Sequence, residues 1–373
     1  MPDVRLIVLL GAGSSQPAGM PSTSQITEKV RSGQGIMRGT GSAYCVDQNL
    51  SPTKQNKVLT DGVTLLTQTL FYEIEAYYNG RLSYPVNYEN CCYVAAQLWG
   101  AESGEFDNPA VMPLVEKLAN VEGLRALIAE DRARLFKETE NCIRDVVWGM
   151  LSRKPKDVGY LKWLADMAHH EDVQPIDFVT LNHDTVLEQA LRSHSVDFCD
   201  VFGEAVNGVR FWQPDRLEAA HRARLIKLHG SIDWFFFKSE SKVGIPKSHD
   251  PFLTDPRPEL LVGTFNKMLE YTRGIFADVH CQFHRTLCQT DYLICCGYGF
   301  GDKGINTKIS EWINVDTRRR LTVVHPDPCQ LLDSSRGAIA NHWRSWKEQG
   351  KLLLVEKRVE QVSWHDIKCE LKG

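Results

Sequence analysis

The chain has 373 residues, which is long for one ordinary domain and short for three. Its hydrophobic fraction of 43% and charged fraction of 24% are typical of a globular protein with enough apolar surface to bury, which argues against extensive disorder. The net charge of -4 provides no strong field for a nucleic-acid backbone, so direct nucleic-acid binding is not expected.

The eleven cysteines contain no Cys-x-x-Cys spacing, so the sequence predicts neither a zinc ribbon nor a thioredoxin-like site, and no metal. They are interpreted as small apolar residues in a reducing compartment, which favours a cytoplasmic protein. Residues Leu6 to Leu10 are five apolar residues before a glycine. This stretch is too short for a signal peptide or a membrane span, and we expect no membrane association.

The first part of the chain reads as one strand followed by a helical region. Val4 to Leu10 predicts a strand buried on both faces, and Gly11 to Gly19 a glycine-rich turn before a helix at Ser24 to Arg31. The polar stretch Ser32 to Gly62 predicts a long loop, with Asp61 as the cap of the next helix. Helical spacing then continues through about Val63–Tyr77, Tyr88–Trp99, Glu122–Leu151 and Val158–His169, with a polar break at 101–108.

Alternating strands and helices return after residue 175. The predicted strands are short and apolar: Asp177–Leu181, Arg224–Leu228, Tyr292–Cys296, Leu321–His325 and an edge element at Leu352–Val355. This pattern predicts an α/β fold, a Rossmann-like doubly wound parallel sheet with an inserted helical module. The expected domains are a nucleotide-binding domain of residues 1–31 and 175–373 and a helical insertion of residues 32–174.

Polar or glycine-rich motifs follow the predicted strands, where ligands of open α/β sheets bind. The first is Gly11-Ala12-Gly13-Ser14-Ser15, in which glycines would let the backbone approach a pyrophosphate; the alternative is a plain strand–helix turn. The second is Thr180-Leu181-Asn182-His183-Asp184, whose aspartate either faces a ligand or caps the next helix.

Three further motifs follow later strands. In Leu228-His229-Gly230-Ser231 the histidine can exchange a proton near neutral pH, and the glycine would leave space for a substrate; a structural histidine is the alternative. In the motif from Gly297 to Asp302, three glycines indicate close backbone approach, and Asp302 either binds sugar hydroxyls or caps a helix. His325-Pro326-Asp327 could close over an adenine or form a simple turn.

Taken in order, these motifs resemble the sirtuin-like family over residues 4–30 and 176–330. More closely, the chain looks like the bacterial sirtuin-like NAD-consuming effectors of antiphage defence. The resemblance implies that Asn182 and His229 form the catalytic pair and that NAD is the substrate. It implies that the remaining motif residues contact the nucleotide, namely Gly11, Ala12, Gly13, Ser14, Ser15, Asp184, Gly230, Ser231, Gly297, Tyr298, Gly299, Asp302 and His325.

The departures from sirtuin deacylases concern the acyl substrate. Pro21-Ser22-Thr23 stands where deacylases have an acidic-aromatic-basic stretch, and their four-cysteine zinc module is missing. The expected activity is therefore NAD+ hydrolysis to nicotinamide and ADP-ribose. A deacylase or ADP-ribosyltransferase and a non-catalytic nucleotide-binding subunit are the alternatives. An unregulated NAD hydrolase would harm its host, and the motifs and the helical insertion use nearly the whole chain, so we expect control by self-assembly into a homo-oligomer or by a partner protein. The resemblance to effectors of this size implies a ring-forming ATPase encoded nearby as that partner.

Overall fold

The computed structural model describes residues 4–39, 42–48, 51–81, 85–105, 108–218, 221–236, 243–246, 257–264 and 266–372. The helices are α1 (Thr23–Ser32), α2 (Lys54–Tyr78), α3 (Tyr88–Ser103), α4 (Met112–Ala119), α5 (Arg125–Leu151), α6 (Lys162–His169), α7 (Val186–Ser193), α8 (Asn266–Glu270), α9 (Gly274–Cys288), α10 (Lys303–Val315), α11 (Pro328–Ser334), α12 (Ala338–Glu348) and α13 (Trp364–Lys372). The strands are β1 (Val4–Leu10), β2 (Ile36–Arg38), β3 (Tyr44–Val46), β4 (Val173–Thr180), β5 (Val209–Phe211), β6 (Ala223–Lys227), β7 (Phe235–Phe236), β8 (Val243–Pro246), β9 (Tyr292–Cys296), β10 (Arg320–Val324) and β11 (Leu352–Val355).

The chain folds into two compact units. The first comprises Met1–Met20, Lys154–Leu260 and Met268–Gly373, and the second comprises Pro21–Arg153 and Leu261–Lys267. The predicted domains, residues 1–31 with 175–373 and residues 32–174, stay a prediction, because a compact unit is not by itself an independently folding domain.

A six-stranded parallel sheet organises the first unit, in the order β11-β10-β9-β1-β4-β6. In chain order these strands run 3-2-1-4-5-6 across the sheet, which is the order of the Rossmann-like doubly wound fold. The predicted fold class is therefore confirmed. The predicted edge element is also confirmed, because β11 pairs only with β10 among the residues that the structure describes.

The central strand β1 is buried because both of its faces are covered. All five residues from Leu6 to Leu10 are at most 1% exposed. Leu6, Val8 and Leu10 alternate along the strand and so lie on one face, where they join a hydrophobic core with Trp163 of α6 and other buried residues. Cys296 at the end of β9 belongs to the same core, and burial raises the pKa of its thiol to about 12. This thiol therefore behaves as the small apolar group that the sequence predicts.

A buried ion pair joins β4 to β6 within this sheet. The Arg224 guanidinium donates through Nε to Asp177 Oδ1 and through Nη2 to Asp177 Oδ2, the latter at 2.9 Å. Its Nη1 donates to the Leu217 carbonyl at 2.8 Å. The two charges satisfy one another in a setting that would otherwise penalise each of them.

The second unit is mainly helical, but its first part departs from the prediction. The predicted loop from Ser32 to Gly62 is wrong: β2 and β3 form an antiparallel hairpin, and α2 already begins at Lys54. Thr53 caps that helix by accepting a hydrogen bond from Asn56 N–H, whereas Asp61 lies inside it. The described strands of the hairpin have only three residues each, too few to show a clear alternation in the sequence.

Carboxylates on α5 hold this hairpin in place. Tyr44 donates its backbone N–H to Asp145 at 2.8 Å and its hydroxyl to Glu138 at 3.0 Å. Arg38 Nε also donates to Glu138, at 2.8 Å. These partners are about a hundred residues away in sequence, so local pattern could not reveal the hairpin.

Smaller differences concern helix ends and a second sheet. The break predicted at 101–108 is shorter, because α3 runs to Ser103, and residues 106 and 107 lie outside the described residues. The helix predicted at 122–151 begins at Arg125 and has a non-helical residue at Asp131. A small antiparallel sheet, β5-β8-β7, was not predicted. Within the described ranges, no helix has the length and apolar content needed to cross a membrane.

The buried pair gives a first prediction. Asp177→Asn keeps the shape of the side chain but leaves the Arg224 charge buried without compensation, so we expect the free energy of unfolding to fall by about 3–5 kcal/mol. The matched control is Asp166→Asn, which removes an exposed i,i+4 pair with Lys162 on α6 and should change stability by less than about 0.5 kcal/mol. Urea unfolding measures both, and equal losses in the two variants would contradict this role of the Arg224–Asp177 pair.

Candidate active site

The order of the parallel strands reverses between β1 and β9, and the turns after these two strands meet there. Gly11 N–H donates to the Cys296 carbonyl at 3.1 Å, and Gly13 N–H donates to the Gly297 carbonyl at 2.9 Å. Crevices at such switch points, outside the carboxyl ends of the strands, are where doubly wound proteins bind ligands. The structure thus brings together the first and fourth motifs of the sequence analysis.

The glycines of these turns are required by the contact between the turns. A Cβ on Gly13 would lie 2.9 Å from the Gly297 carbonyl oxygen. Gly297 has a φ of +65°, and a Cβ there would lie 2.2 Å from the Ser14 nitrogen. This explanation differs from the predicted approach of a pyrophosphate. Gly299 is different, because a Cβ there would meet no described atom within 4 Å.

Most backbone N–H groups of the turn after β1 already donate hydrogen bonds within the protein. The N–H groups of Gly11, Gly13, Ser14 and Ser15 each donate to a carbonyl within the protein. The Ser14 hydroxyl donates to the Gly11 carbonyl at 2.8 Å. Ala12 is the exposed residue among Gly11 to Ser15. A pyrophosphate cradle formed by all of these residues therefore stays a prediction, and Ala12 is its most accessible member.

The Asn182 side chain is fixed by the same turn. Its Nδ2 donates to the Gly11 carbonyl at 3.1 Å and to Ser15 Oγ at 2.9 Å. Because a carbonyl can only accept, the amide nitrogen must face Gly11, which sets the orientation of the amide. Both amide hydrogens are thereby used, and within the described part of the chain Oδ1 is left as an acceptor for a ligand.

Asp184 holds Asn182 indirectly, through Ser15. The Ser15 hydroxyl accepts from Asn182 and donates to Asp184 Oδ1 at 3.1 Å. The same carboxylate oxygen accepts the Val186 N–H at 3.0 Å, so Asp184 also satisfies the start of α7, as the alternative interpretation proposed. Burial raises the pKa of Asp184, and the nearby Lys227 ammonium opposes that shift.

Lys227 is a buried charge that sequence reasoning missed. It is the last residue of β6, and its ammonium donates to the Asp184 carbonyl and, at 2.8 Å, to Glu188 Oε1. Burial raises the pKa of Glu188, while the Lys227 charge lowers it. The signal was a lysine at the end of an otherwise buried strand, two residues before His229. The hydrogen bond to the Asp184 carbonyl joins the loop that carries Asn182 to the strand that leads to His229, and the ion pair with Glu188 joins that strand to α7.

His229 is buried and follows β6, next to the strand that precedes Asn182. Leu228 N–H donates to the Thr180 carbonyl at 2.9 Å, which continues the β4–β6 pairing up to His229. His229 Nε2 lies 3.3 Å from Asp302 Oδ2. Sequence reasoning had not linked this histidine to Asp302, because the two residues are far apart in the chain.

The residues after His229 hold the neighbouring loops together. Gly230 has a φ of +81°, and a Cβ there would lie 2.1 Å from the Glu259 carbonyl oxygen. The backbone therefore requires this glycine, in contrast to the predicted space for a substrate. Ser231 donates its N–H to the Glu259 carbonyl at 3.2 Å and its hydroxyl to the His183 carbonyl at 3.3 Å.

Tyr298 and His325 complete the predicted set. The Tyr298 hydroxyl donates to Asn306 Oδ1 at 2.9 Å from a buried position, so this side chain supports the second glycine turn from within. His325 follows β10, and its Nδ1 accepts the Asp327 N–H at 3.0 Å. The hydrogen bonds described for His325 go to its own turn and to Val355, not to another predicted site residue.

Part of the chain resembles a known protein family. Residues 177–348 match the family model of the SIR2-like domain. This range begins in β4, ends in α12 and contains Asn182, His229 and the second glycine turn. The sirtuin-like resemblance predicted from the motifs is confirmed for this part of the chain. No curated protein gives a significant match.

Several solved structures of Sir2 homologues resemble the chain at low identity. A mutant homologue in complex with 2'-O-acetyl ADP-ribose is 12% identical, with coverage of 99% of this chain and 92% of that chain and a TM-score of 0.40. A Sir2 homologue–NAD complex is 13% identical, with coverage of 99% and 90% and a TM-score of 0.39. Sir2 bound to an acetylated peptide is 10% identical, with coverage of 99% and 92% and a TM-score of 0.38. The fold assignment rests on the strand order and not on these likenesses.

Across the residues that the structure describes, no group of three or more His, Cys, Asp or Glu side chains is placed to hold a metal ion. The ten cysteines whose side chains the structure describes form no disulfide bonds with one another.

The two turns generate a prediction with a matched glycine pair. Gly297→Ala introduces a Cβ at a positive φ against the Ser14 backbone, so we expect a loss of more than about 2 kcal/mol in the free energy of unfolding. Gly299→Ala, two residues later, has open space for its Cβ and should lie within about 0.5 kcal/mol of the parent. Chemical denaturation of both variants tests this, and a neutral Gly297→Ala would show that the turns do not depend on the close approach.

Proposed function

We propose that this chain is an NAD+ hydrolase that cleaves the bond between nicotinamide and ribose and releases nicotinamide and ADP-ribose. The observation that carries the proposal is the arrangement at the ends of β4 and β6. Asn182 offers its Oδ1 from a fixed amide, and His229 follows the adjoining strand end. Both residues lie within the range that matches the SIR2-like domain.

The chemistry requires few groups. As the bond to nicotinamide breaks, positive charge develops at ribose C1′, water adds there, and one proton must leave. Asn182 Oδ1 would accept a hydrogen bond from a ribose hydroxyl or from the attacking water without gaining charge. His229 would take the proton and return it to solvent. The balanced products are nicotinamide, ADP-ribose and a proton.

The nucleotide would lie over the switch point between β1 and β9. The exposed Ala12 would face the pyrophosphate, and the open side of Gly299 would allow the nucleotide close to the second turn. Four predicted site residues would support the nucleotide-binding loops without touching the nucleotide, because their polar groups bond to other parts of these loops: Ser15, Asp184, Ser231 and Tyr298. His325 would lie on the adenosine side.

Hydrolysis, and not deacylation, is favoured by the segment after the first turn. Pro21-Ser22-Thr23 forms the start of α1, where Ser22 accepts the Gln25 N–H and the Gln25 side chain accepts the Ser22 N–H. The residues at this position therefore serve as a helix cap, in place of the acidic-aromatic-basic stretch of deacylases. A deacylase or ADP-ribosyltransferase would need an acyl-lysine or protein acceptor, so its release of nicotinamide would depend on adding that acceptor.

We further propose that the enzyme acts in the cytoplasm as an antiphage effector that depletes NAD. An unrestrained NAD hydrolase would harm its host, so its activity would be controlled by homo-oligomer formation or by a ring-forming ATPase partner. Sedimentation of the purified chain with and without the product of a neighbouring ATPase gene tests the assembly. A monomer that is fully active alone would contradict this form of control.

The catalytic assignment predicts a specific pattern of losses. Asn182→Ala and His229→Ala should each lower NAD turnover by about 100-fold or more, because one loses the fixed acceptor and the other the base. Chromatographic separation of nicotinamide and ADP-ribose provides the measurement. The control is His284→Ala, an exposed histidine on α9 that should retain parent activity.

The outcomes separate the alternative functions. Nicotinamide release that depends on an added acylated peptide or protein acceptor would favour a transferase. NAD binding by the parent chain, with no turnover either alone or with its neighbouring partner, would favour a non-catalytic subunit. Turnover that persists in both site variants would contradict the assignment of the catalytic pair.

Ser15 yields a separate prediction, because it links Asn182 to Asp184. Ser15→Ala removes one acceptor of the Asn182 amide and a donor to the buried carboxylate, so we expect kcat to fall by about 10-fold and stability by about 1–3 kcal/mol. Ser335→Ala removes a similarly buried hydroxyl that donates to the Leu332 carbonyl, and it should leave kcat unchanged. Steady-state kinetics would contradict the link if the two variants had equal kcat values.

A further inference from the structure

Asp302 lies at the meeting point of three elements around His229. It is the N-cap residue of α10, and its Oδ1 accepts the Ile305 N–H at 3.0 Å. Its Oδ2 accepts the Tyr271 hydroxyl at 2.8 Å and lies 3.3 Å from His229 Nε2. One carboxylate therefore contacts a helix start, a tyrosine and the histidine that the proposed reaction requires.

This setting favours a negative charge on Asp302. The N-terminus of α10 has thirteen residues of aligned peptide dipoles behind it, and a carboxylate at that end is stabilised by the partial positive charge. The Tyr271 hydroxyl donates a further hydrogen bond to the ionised form. The His229 and Asp302 side chains are only 5% and 12% exposed, so water and salt screen their interaction less than at the surface.

Aromatic rings also lie near His229 among the described residues. The His183 ring lies 6.3 Å from the His229 ring, and the Tyr271 ring lies parallel to it at 6.4 Å. His280 stacks on Tyr271 at 3.7 Å, and burial, followed by the His229 charge, lowers the pKa of His280 to about 3. His280 is therefore neutral, and its Nε2–H donates to the Leu228 carbonyl at 3.1 Å. Asp302 supplies the negative charge in this group.

We propose that Asp302 is a positioning residue for catalysis: its carboxylate stabilises the protonated form of His229, and Tyr271 holds that carboxylate in place. The inference rests on the proposed hydrolase, in which His229 takes the proton released when water adds to the ribose. The imidazolium formed in that step would have a carboxylate partner already in position. Asp302 would thus act through His229 and not by binding a sugar hydroxyl.

The test uses a variant that preserves the cap. Asp302→Asn keeps the size of the side chain and an oxygen for the Ile305 N–H, since asparagine is as good an N-cap as aspartate, but it removes the charge. Without the carboxylate, His229 protonates less readily, so its pKa falls. The base must be neutral to act, so the acidic limb of kcat/KM against pH should move down by about 1–3 pH units. The rate on the plateau should fall by about 10-fold or more.

Two other variants sharpen the result. Tyr271→Phe should shift the limb in the same direction by a smaller amount, because the charge remains but loses a hydrogen bond. It also serves as the test if Asp302→Asn does not fold. Asp316→Asn removes a partly exposed carboxylate, paired with Arg318, at the opposite end of α10, and it should leave the profile unchanged. If the acidic limb is unshifted in both Asp302→Asn and Tyr271→Phe, the inference about Asp302 is overturned, but the proposed hydrolase activity is not.

A second readout does not depend on turnover. Titration of the His229 ring by NMR, assigned by the loss of its signal in His229→Gln, should give a pKa about 1–3 units lower in Asp302→Asn than in the parent. An equal His229 pKa in the two proteins would overturn the inference. If the His229 pKa falls in Asp302→Asn but the parent chain never consumes NAD, the Asp302–His229 pair is supported and the proposed hydrolase is refuted.

Discussion

The close approach of two backbone turns at the centre of the parallel sheet constrains the rest of the site. Gly13 N–H donates to the Gly297 carbonyl across the switch point, and neither turn has room for a Cβ at these positions. This contact fixes where the halves of the sheet diverge. It also fixes the Gly11 carbonyl, which orients the Asn182 amide. The orientation of a candidate catalytic group thus follows from the packing of one turn on another.

A line of buried polar groups continues from that contact into the core. Asn182 donates to Ser15, Ser15 donates to Asp184, and Lys227 bonds both the Asp184 carbonyl and Glu188. Buried charges of this kind are tolerated only when each has a partner, so substitution of one member affects its neighbours. The arrangement keeps the loop after β4 and the end of β6 in one geometry before any ligand arrives, which is the preorganisation that catalysis requires.

The sequence predicted the sheet well because its strands are short, apolar and separated by glycine or proline. The bounds of β9 and the edge position of β11 follow directly from that pattern. The hairpin of β2 and β3 could not be predicted, because distant carboxylates on α5 hold it. For the candidate site, the sequence indicated which strand ends carry polar residues. It did not reveal that the backbone conformation requires Gly230, that Lys227 forms a buried ion pair, or that Asp302 contacts His229. Each of these contacts joins residues that are far apart in the chain.

Product analysis of the NAD reaction in water enriched in heavy oxygen shows whether water adds at ribose C1′. If water adds at ribose C1′, ADP-ribose formed by the enzyme will carry the heavy oxygen from the first turnover and nicotinamide will not. Three results would contradict enzymatic hydrolysis at ribose C1′. ADP-ribose could gain the heavy oxygen only by slow exchange after its formation, NAD could be cleaved at the pyrophosphate, or NAD could remain intact in the presence of the assembled protein.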